Sequence, residues 1–173
     1  MRAKKCKICK EKFTPMRPLQ MVCGYKCSHE YAKLQKQKAW KKEKKIRKEK
    51  LMTRSEHLNL LQRVFNAYIR KRDENKPCIS CGTFNGKMSA GHYMSVGSTP
   101  ELRFDEINVR KQCFRCNSEL SGNLIQYRIN LVELIGEDKV KFLERKDHPP
   151  LKLTTDEIKE KIKHYRELTK NLI

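Results

Sequence analysis

Eight cysteines constrain this chain more than any other feature, because they fall into four pairs that are each separated by only two or three residues. Pairs at this spacing are typical of tetrahedral zinc sites and do not resemble a disulfide framework. The sequence therefore predicts two structural Zn²⁺ ions, each bound by four thiolates. The first predicted cluster is Cys6, Cys9, Cys23 and Cys27, and the second is Cys78, Cys81, Cys113 and Cys116.

The composition explains why metal would be needed for folding. Of the 173 residues, 35% are charged, and the mean hydropathy is -0.82, so little apolar material is left for one large core. Binding of zinc can supply the missing folding energy. We expect a small, zinc-stabilised α+β protein with three segments. These are a zinc knuckle at 1–29, two helices at 30–75 and a second zinc-bound domain with further helices at 76–173.

The charge of the chain predicts a polyanionic partner. The formal net charge is +20, and residues 1–50 contain 18 Lys or Arg against 4 Asp or Glu. Such a concentration of positive charge favours nucleic acid. A membrane partner is disfavoured, because the basic segment lacks a broad apolar face and no stretch approaches the ~20 apolar residues that span a bilayer. The chain opens without a signal-peptide pattern, so we expect a cytoplasmic, reducing location, where thiols stay free to bind zinc.

Residues 30–50 lack Gly and Pro and are rich in helix-forming residues, so they predict a basic helix. Trp40 is its one large aromatic residue, and it could stack on a base or anchor the helix to protein. His29 follows the first cluster, whose four cysteines already complete a tetrahedron, and we interpret it as a bystander. The candidate DNA contacts on this helix are Lys41, Lys42, Lys44 and Lys45.

Local patterns predict the remaining elements. Two capping boxes, Thr53 with Glu56 and Thr154 with Glu157, indicate helix starts. A face of apolar residues at helical spacing ends at Gly136, a natural helix stop. The other predicted elements are strands at 87–93 and 108–112, a helix that follows Cys116 and runs to Gly136, and a helix at 138–145. For the first of these helices, a start displaced to 121–123 is the alternative.

This order of strand, loop, strand and helix, held at its base by four cysteines, resembles the ββα-metal (HNH) nuclease fold. The resemblance implies a role for three residues. His92, at the end of the first strand, would be the general base, and Asn108 would steady the loop that carries it. Asn117, directly after Cys116, would bind a catalytic Mg²⁺ or Mn²⁺ at the start of the helix. Hydrolysis of a phosphodiester needs both a deprotonated water and a cation near the leaving oxygen.

Several longer motifs resemble the NinG (Rap) family of lambdoid phages over essentially the whole chain. The Cys-x-x-Cys-Asn motif is also similar to that of phage endonuclease VII. The resemblance implies a recombination endonuclease that acts on branched DNA, such as Holliday junctions and displacement loops, in the bacterial cytoplasm. Symmetric cutting would need two active sites and hence a homodimer, and other recombination proteins are expected partners. The motifs are Ser89-Ala-Gly-His-Tyr93, Pro100-Glu-Leu-Arg-Phe104, Asn108-Val109, Cys113 to Asn117 and Leu120-Ser-Gly-Asn-Leu124.

One position departs from the nuclease pattern. Gly91 stands where many relatives carry an Asp that binds the catalytic metal, so another oxygen ligand must replace it. Glu119, Asn123 and Asp105 are the candidates, and the sequence does not choose among them. The candidate phosphate contacts around the site are Arg103, Arg110, Lys111 and Arg115.

Gly91 also keeps an alternative function open, in which the scaffold is a non-catalytic zinc-containing recombination accessory that only binds nucleic acid. A ribosome-associated basic zinc protein is a weaker alternative, because it leaves the placement of His92 and Asn117 unexplained.

Overall fold

The computed structural model describes residues 2–172 and divides the chain into two compact units, Met1–Met52 and Thr53–Ile173. The boundary lies between the two helices that the sequence analysis placed together in segment 30–75. The second helix carries a large apolar face that packs within the second unit, whereas the first helix has no buried residue. No helix among residues 2–172 has the length and apolar character needed to cross a membrane.

The first unit combines a small hairpin with one long helix. Strands β1 (Lys4–Lys5) and β2 (Lys12–Phe13) pair antiparallel, with Lys4 opposite Phe13. Helix α1 (Tyr25–Lys50) begins earlier than the predicted residue 30, so that it includes Cys27 of the first cluster. The hairpin was not predicted, because strands of two residues have no periodicity to read.

Helices α2 (Arg54–Arg72) and α5 (Thr155–Asn171) pack together in the second unit. Both predicted capping boxes are present. Each threonine side chain accepts a hydrogen bond from the backbone of its glutamate, and the glutamate side chain accepts one from the threonine backbone. An aromatic cluster fills the interface, with the rings of Phe65 and Tyr165 edge to face at 5.0 Å. The apolar faces of the two helices are buried against each other and form a hydrophobic core of the unit.

Strands β3 (Met88–His92) and β4 (Val109–Cys113) form an antiparallel pair in which Met88 lies opposite Cys113 and His92 opposite Val109. One face contributes Ala90 and Val109 to the core formed by α2 and α5. On the other side, the carbonyl oxygen of Gly91 accepts a hydrogen bond of 2.9 Å from the hydroxyl of Tyr127. All five residues of β4 are buried, although three of them are polar or charged.

Helices α3 (Leu124–Ile135) and α4 (Glu137–Glu144) meet at Gly136, whose φ of 88° permits the sharp turn between them. They form a second apolar core, which includes Tyr127, Leu131, Val140 and Leu143. With two small sheets and five helices among residues 2–172, the structure confirms the predicted small α+β class.

The segment that joins β4 to α3 differs from the sequence-based expectation. Asn117 does not begin the long helix but lies in a single turn of π-type helix, Arg115–Glu119, in which Leu120 N–H bonds Arg115 O at 2.9 Å. Ser121, Gly122 and Asn123 then adopt positive φ angles of 47°, 94° and 42°. These left-handed residues interrupt the helical path, so α3 starts only at Leu124.

Candidate metal centres and active site

Both cysteine clusters have the geometry of a zinc site. Within each cluster the four Sγ atoms lie within 4.8 Å of one another. The Sγ atoms of Cys9 and Cys23 are 3.6 Å apart, and those of Cys81 and Cys113 are 3.7 Å apart. A tetrahedral Zn²⁺ with Zn–S bonds of about 2.3 Å requires S–S separations of about 3.8 Å. The two clusters therefore match the ligand sets predicted from the sequence and could each hold one zinc ion.

Hydrogen-bond donors surround the sulfur atoms of both clusters. The backbone N–H of Ile8 lies 3.4 Å from Cys6 Sγ, and that of Cys116 lies 3.5 Å from Cys113 Sγ. The side-chain amide of Asn123 donates to Cys116 Sγ at 3.5 Å. Such outer contacts orient thiolate ligands and offset part of their negative charge. Asn123 therefore supports the second zinc cluster, which speaks against its being a ligand of the catalytic metal.

A cavity of about 400 Å³ brings together two of the predicted site residues. His92, at the end of β3, and Asn117, in the π-type turn, both line it, and three serine residues add hydroxyl groups. Among residues 2–172, the side chain of Asn117 makes no hydrogen bond, which leaves its amide oxygen available. We call this space the His92 cavity. Its other lining residues are Ala90, Tyr93, Met94, Ser95, Val96, Ser98, Ser121, Gly122 and Leu124.

The half-buried imidazole of His92 is held in one orientation and one tautomer. Its Nε2 atom lies 3.0 Å from the carbonyl oxygen of Arg103. A carbonyl oxygen can only accept, so Nε2 carries the proton, and Nδ1 of the neutral ring carries the lone pair. Burial lowers the pKa of His92 below its ordinary value of 6.5. The ring is therefore neutral at pH 7, with one nitrogen able to take up a proton.

Asn108 is fully buried and braces the loop between the strands. Its Oδ1 atom accepts a hydrogen bond of 2.7 Å from the Met94 N–H, and its Nδ2 atom donates to the carbonyl oxygens of Met94 at 3.0 Å and Leu102 at 3.1 Å. These bonds tie both ends of segment 94–102 to the start of β4. This geometry fits the bracing role that the resemblance implied, because Arg103, which orients His92, follows directly.

Tyr93, the residue after His92, also supports this end of β3, although no sequence pattern predicts a role for it. Its hydroxyl donates to Glu144 at 2.5 Å, and Arg128 donates to the same carboxylate at 2.7 Å. Burial and the adjacent carboxylate raise the pKa of Tyr93 to about 12. The phenol thus stays protonated and fixes the end of β3 to helices α3 and α4. No sequence motif links these positions, so only the fold could reveal the contact.

The atoms of the His92 cavity that could serve as metal ligands would bind a hard divalent ion only weakly. Mg²⁺ and Mn²⁺ prefer oxygen ligands, and the cavity offers the amide of Asn117 and serine hydroxyls. No carboxylate is found among its lining residues within 2–172. Asp105 instead accepts a hydrogen bond of 2.8 Å from the Ile107 N–H, and Glu119 is exposed on the π-type turn. Asp105 and Glu119 are not lining residues of the His92 cavity, so neither supplies the carboxylate that is absent at position 91.

The structure separates the predicted DNA contacts into two groups. Arg110 and Lys111 are buried and line a different cavity, of about 480 Å³. Their side chains donate to the carbonyl oxygens of Glu106 and Glu74, both at 2.8 Å. This burial argues against the interpretation of Arg110 and Lys111 as phosphate contacts. Burial of these basic residues is acceptable because backbone carbonyls accept their hydrogen bonds, and no sequence motif reveals such distant acceptors.

The other basic candidates are accessible to different degrees. Arg115 is exposed, whereas Arg103 is half-buried and donates to Gln62 at 2.5 Å. Trp40 is 59% exposed on α1, and the Lys44 ammonium lies 4.9 Å from its ring centre. The four candidate lysines of α1, namely Lys41, Lys42, Lys44 and Lys45, are all exposed.

Comparison with known proteins places these features in a family. The family model described as "Bacteriophage Lambda NinG protein" matches residues 1–173. The chain is 38% identical to "Protein ninG" of Escherichia phage 933W over an alignment length of 188. This alignment covers 98% of this chain and 93% of that protein. It is 45% identical to "Protein ninG" of Salmonella phage P22 and 42% identical to that of Escherichia phage lambda. Each of these two alignments spans 129 residues, or 74% of this chain and 63% of the relative. No solved structure matches. The chain therefore belongs to the NinG family of bacteriophage proteins.

Proposed function

We propose that the protein is a divalent-metal-dependent DNA endonuclease with an HNH-like active site, and that it cuts branched DNA such as Holliday junctions and displacement loops. The observation that carries the proposal is the His92 cavity. It combines a neutral, oriented imidazole with the amide of Asn117, which has no hydrogen-bond partner among residues 2–172. In the sequence, Asn117 directly follows Cys116 of the second cysteine cluster. The order of β3, loop, β4, turn and α3 also fits a ββα-metal nuclease.

In the proposed reaction, Nδ1 of His92 accepts a proton from a water molecule. The water oxygen forms a bond to phosphorus while the bond from phosphorus to the leaving oxygen breaks, and the leaving oxygen takes up a proton from solvent. The hydrogen bond to Arg103 O stabilises the imidazolium that forms, because it holds the Nε2 proton throughout. The role of Asn108 is to keep Arg103 and its loop in place for this step.

A bound Mg²⁺ or Mn²⁺ would stabilise the charge that develops on the phosphoryl and leaving oxygens. The amide oxygen of Asn117 would hold it, and the substrate phosphate would contribute the negative charge that the cavity lacks. Metal binding should therefore be weak in the free protein and stronger in the presence of DNA.

The basic first unit supports DNA as the substrate. Its helix α1 presents exposed lysines around most of its surface, with 18 Lys or Arg against 4 Asp or Glu in residues 1–50. These charges would bind phosphates without sequence preference. The relatives are encoded by phages, so we expect action in the cytoplasm of the infected cell, together with other recombination proteins.

The test is incubation of the purified, zinc-loaded protein with a labelled four-way junction and a matched linear duplex, in Mg²⁺ or Mn²⁺. We expect cleavage of the junction in preference to the duplex. The His92→Ala variant should lose the activity by about 10²- to 10⁴-fold, as expected for removal of a general base. His164→Ala, an exposed histidine of α5, is the matched control and should cleave normally.

A second candidate function is a non-catalytic recombination accessory that only binds branched DNA. The lack of a carboxylate among the described residues of the His92 cavity favours it. It predicts junction binding that His92→Ala leaves unchanged, without cleavage by either protein at any metal concentration.

Symmetric resolution of a junction would require two active sites. We therefore propose that the protein acts as a homodimer on DNA. Light scattering of the complex with a junction should give two protein chains per DNA, and a single chain would contradict this part of the proposal.

A further inference from the structure

A single buried side chain, that of Gln112, touches three separate parts of the proposed active site. Gln112 lies in β4 and is fully buried. Its Nε2 atom donates to the carbonyl oxygen of Gly122 at 2.6 Å and to the hydroxyl of Ser80 at 2.7 Å. Gly122 lines the His92 cavity, and Ser80 lies between two zinc-binding cysteines. The amide group is assigned with its nitrogen toward Gly122, because a carbonyl oxygen can only accept.

The third contact explains why position 91 is a glycine. A Cβ atom at this position would collide with Gln112 Oε1 and would lie 2.9 Å from Cβ and 3.0 Å from Cδ of Gln112. The space that a side chain at position 91 would use is thus filled by Gln112. An aspartate there is incompatible with this packing, so the departure from the nuclease pattern and the presence of Gln112 are two parts of one arrangement.

Gln112 is not the residue that stability alone would favour here. Its Oε1 atom is buried and has no hydrogen-bond partner among residues 2–172. A buried acceptor without a partner costs about 1–3 kcal/mol, and an apolar side chain of similar size would avoid this cost. An unsatisfied polar group of this kind calls for a physical explanation. The two bonds made by Nε2, which an apolar residue could not make, supply one.

We propose that Gln112 is a positioning residue that sets the separation between the strand carrying His92 and the turn carrying Asn117. It packs against Gly91, the neighbour of His92, and it holds Gly122, whose N–H in turn bonds Cys116 O at 2.9 Å, next to Asn117. This inference rests on the proposed function. It adds that no other charged ligand replaces the side chain missing at position 91. Instead, Gln112 occupies this space and connects the strand that carries His92 to the turn that carries Asn117.

The first test replaces Gln112 by methionine, which has a similar length but cannot donate either hydrogen bond. Gln112→Met should keep two zinc ions per chain, measured by mass spectrometry. Its unfolding temperature should stay close to that of wild type, because removal of the unpaired Oε1 offsets the two lost bonds and the Ser80 hydroxyl still donates to Gly122 O at 3.4 Å. Its cleavage rate and its Mn²⁺ affinity, read by electron paramagnetic resonance on the complex with DNA, should both fall by about 10- to 100-fold. The KM for the junction should stay unchanged. Gln126→Met, on the exposed side of α3, is the matched control.

The second test covers the case in which Gln112→Met loses its zinc. Gly91→Ala alone should lower the unfolding temperature and the Mn²⁺ affinity. Adding Gln112→Ala removes two of the three colliding atoms, so the double variant should be more stable than Gly91→Ala alone. Equal or additive losses would overturn the inference.

The two proposals fail in different ways. If the wild type cleaves DNA and Gln112→Met cleaves it at the same rate with the same Mn²⁺ affinity, the positioning role is overturned and the nuclease proposal stands. A wild-type protein that neither cleaves DNA nor binds Mn²⁺ would overturn both.

Discussion

The loop that carries Arg103 depends on one buried amide, so Asn108→Ala is the substitution whose effect can be worked out most fully. The change removes three hydrogen bonds and leaves the N–H and the carbonyl oxygen of Met94 without their partner, whereas the carbonyl oxygen of Leu102 keeps the Asp105 N–H at 3.2 Å. A hydrogen bond contributes about 1 kcal/mol net, and buried groups left unpaired cost more. We therefore expect the free energy of unfolding to fall by about 3 kcal/mol.

This loss corresponds to a measurable change in the unfolding temperature. The second unit spans Thr53–Ile173, and unfolding entropy is about 2.1 cal/mol/K per residue, so a loss of about 3 kcal/mol lowers the midpoint by about 12 °C. Scanning calorimetry of the zinc-loaded protein measures this shift directly. Cleavage should fall as well, because the carbonyl oxygen of Arg103 would no longer hold His92 in one orientation.

Two further variants make the test specific. Asn75→Ala changes an exposed asparagine before the second zinc cluster and should move the midpoint by less than about 2 °C. Asn108→Asp keeps an acceptor for the Met94 N–H but sets an oxygen against the two carbonyl groups, so it should be at least as harmful as the alanine. If Asn108→Ala melted like Asn75→Ala, the amide would not be the brace of this loop and the reasoning would be refuted.

Three other outcomes follow from the charges and metals. Since burial lowers the pKa of His92 below 6.5, the unfolded chain binds this proton more readily, so the contribution of His92 to stability should be constant above about pH 6.5 and fall as the pH drops below it. The difference in unfolding temperature between wild type and His92→Asn should therefore shrink from pH 7.5 to pH 5.5, and a constant difference would contradict the assignment. Cys113→Ser should reduce bound zinc from two ions to one per chain by mass spectrometry and lower the unfolding temperature, whereas unchanged zinc would rule out the second cluster. Replacing Lys41, Lys42, Lys44 and Lys45 by alanine should reduce the slope of log K against log salt by up to about 3.6 in a fluorescence-anisotropy titration. The same change at Lys159, Lys161, Lys163 and Lys170 of α5 is the control, and an equal effect there would argue against α1 as the DNA arm.

Features that depend on neighbouring residues in the chain could be predicted from the sequence. The capping boxes at Thr53 and Thr154 and the stop at Gly136 are local, and the structure has all three. The cysteine spacing likewise predicted two clusters, because zinc restricts ligand positions so strongly.

Features that depend on distant partners could not be predicted. The sequence predicts phosphate contacts at Arg110 and Lys111, yet both side chains and that of the adjacent Gln112 are buried. Each finds a backbone carbonyl from another segment, at Glu106, Glu74 or Gly122. The sequence left the start of α3 open for a similar reason, since the left-handed path through Ser121 and Asn123 is stabilised by bonds to Leu120 and Cys116 that no periodicity reveals.

The pairing of Met88 with Cys113 gives the second zinc cluster a consequence for how the protein folds. Cys113 is both the last residue of β4 and a member of the second cysteine cluster, so a zinc ion bound there would require the two strands to be aligned correctly. A slip by one residue would withdraw its sulfur from the cluster and turn every side chain of β4 to the opposite face. Apart from Cys113, Val109 is the one apolar residue of β4, so apolar burial alone specifies this register weakly. Zinc binding would therefore select the correct register, because only a chain that pairs His92 with Val109 brings all four sulfur atoms within reach of one ion.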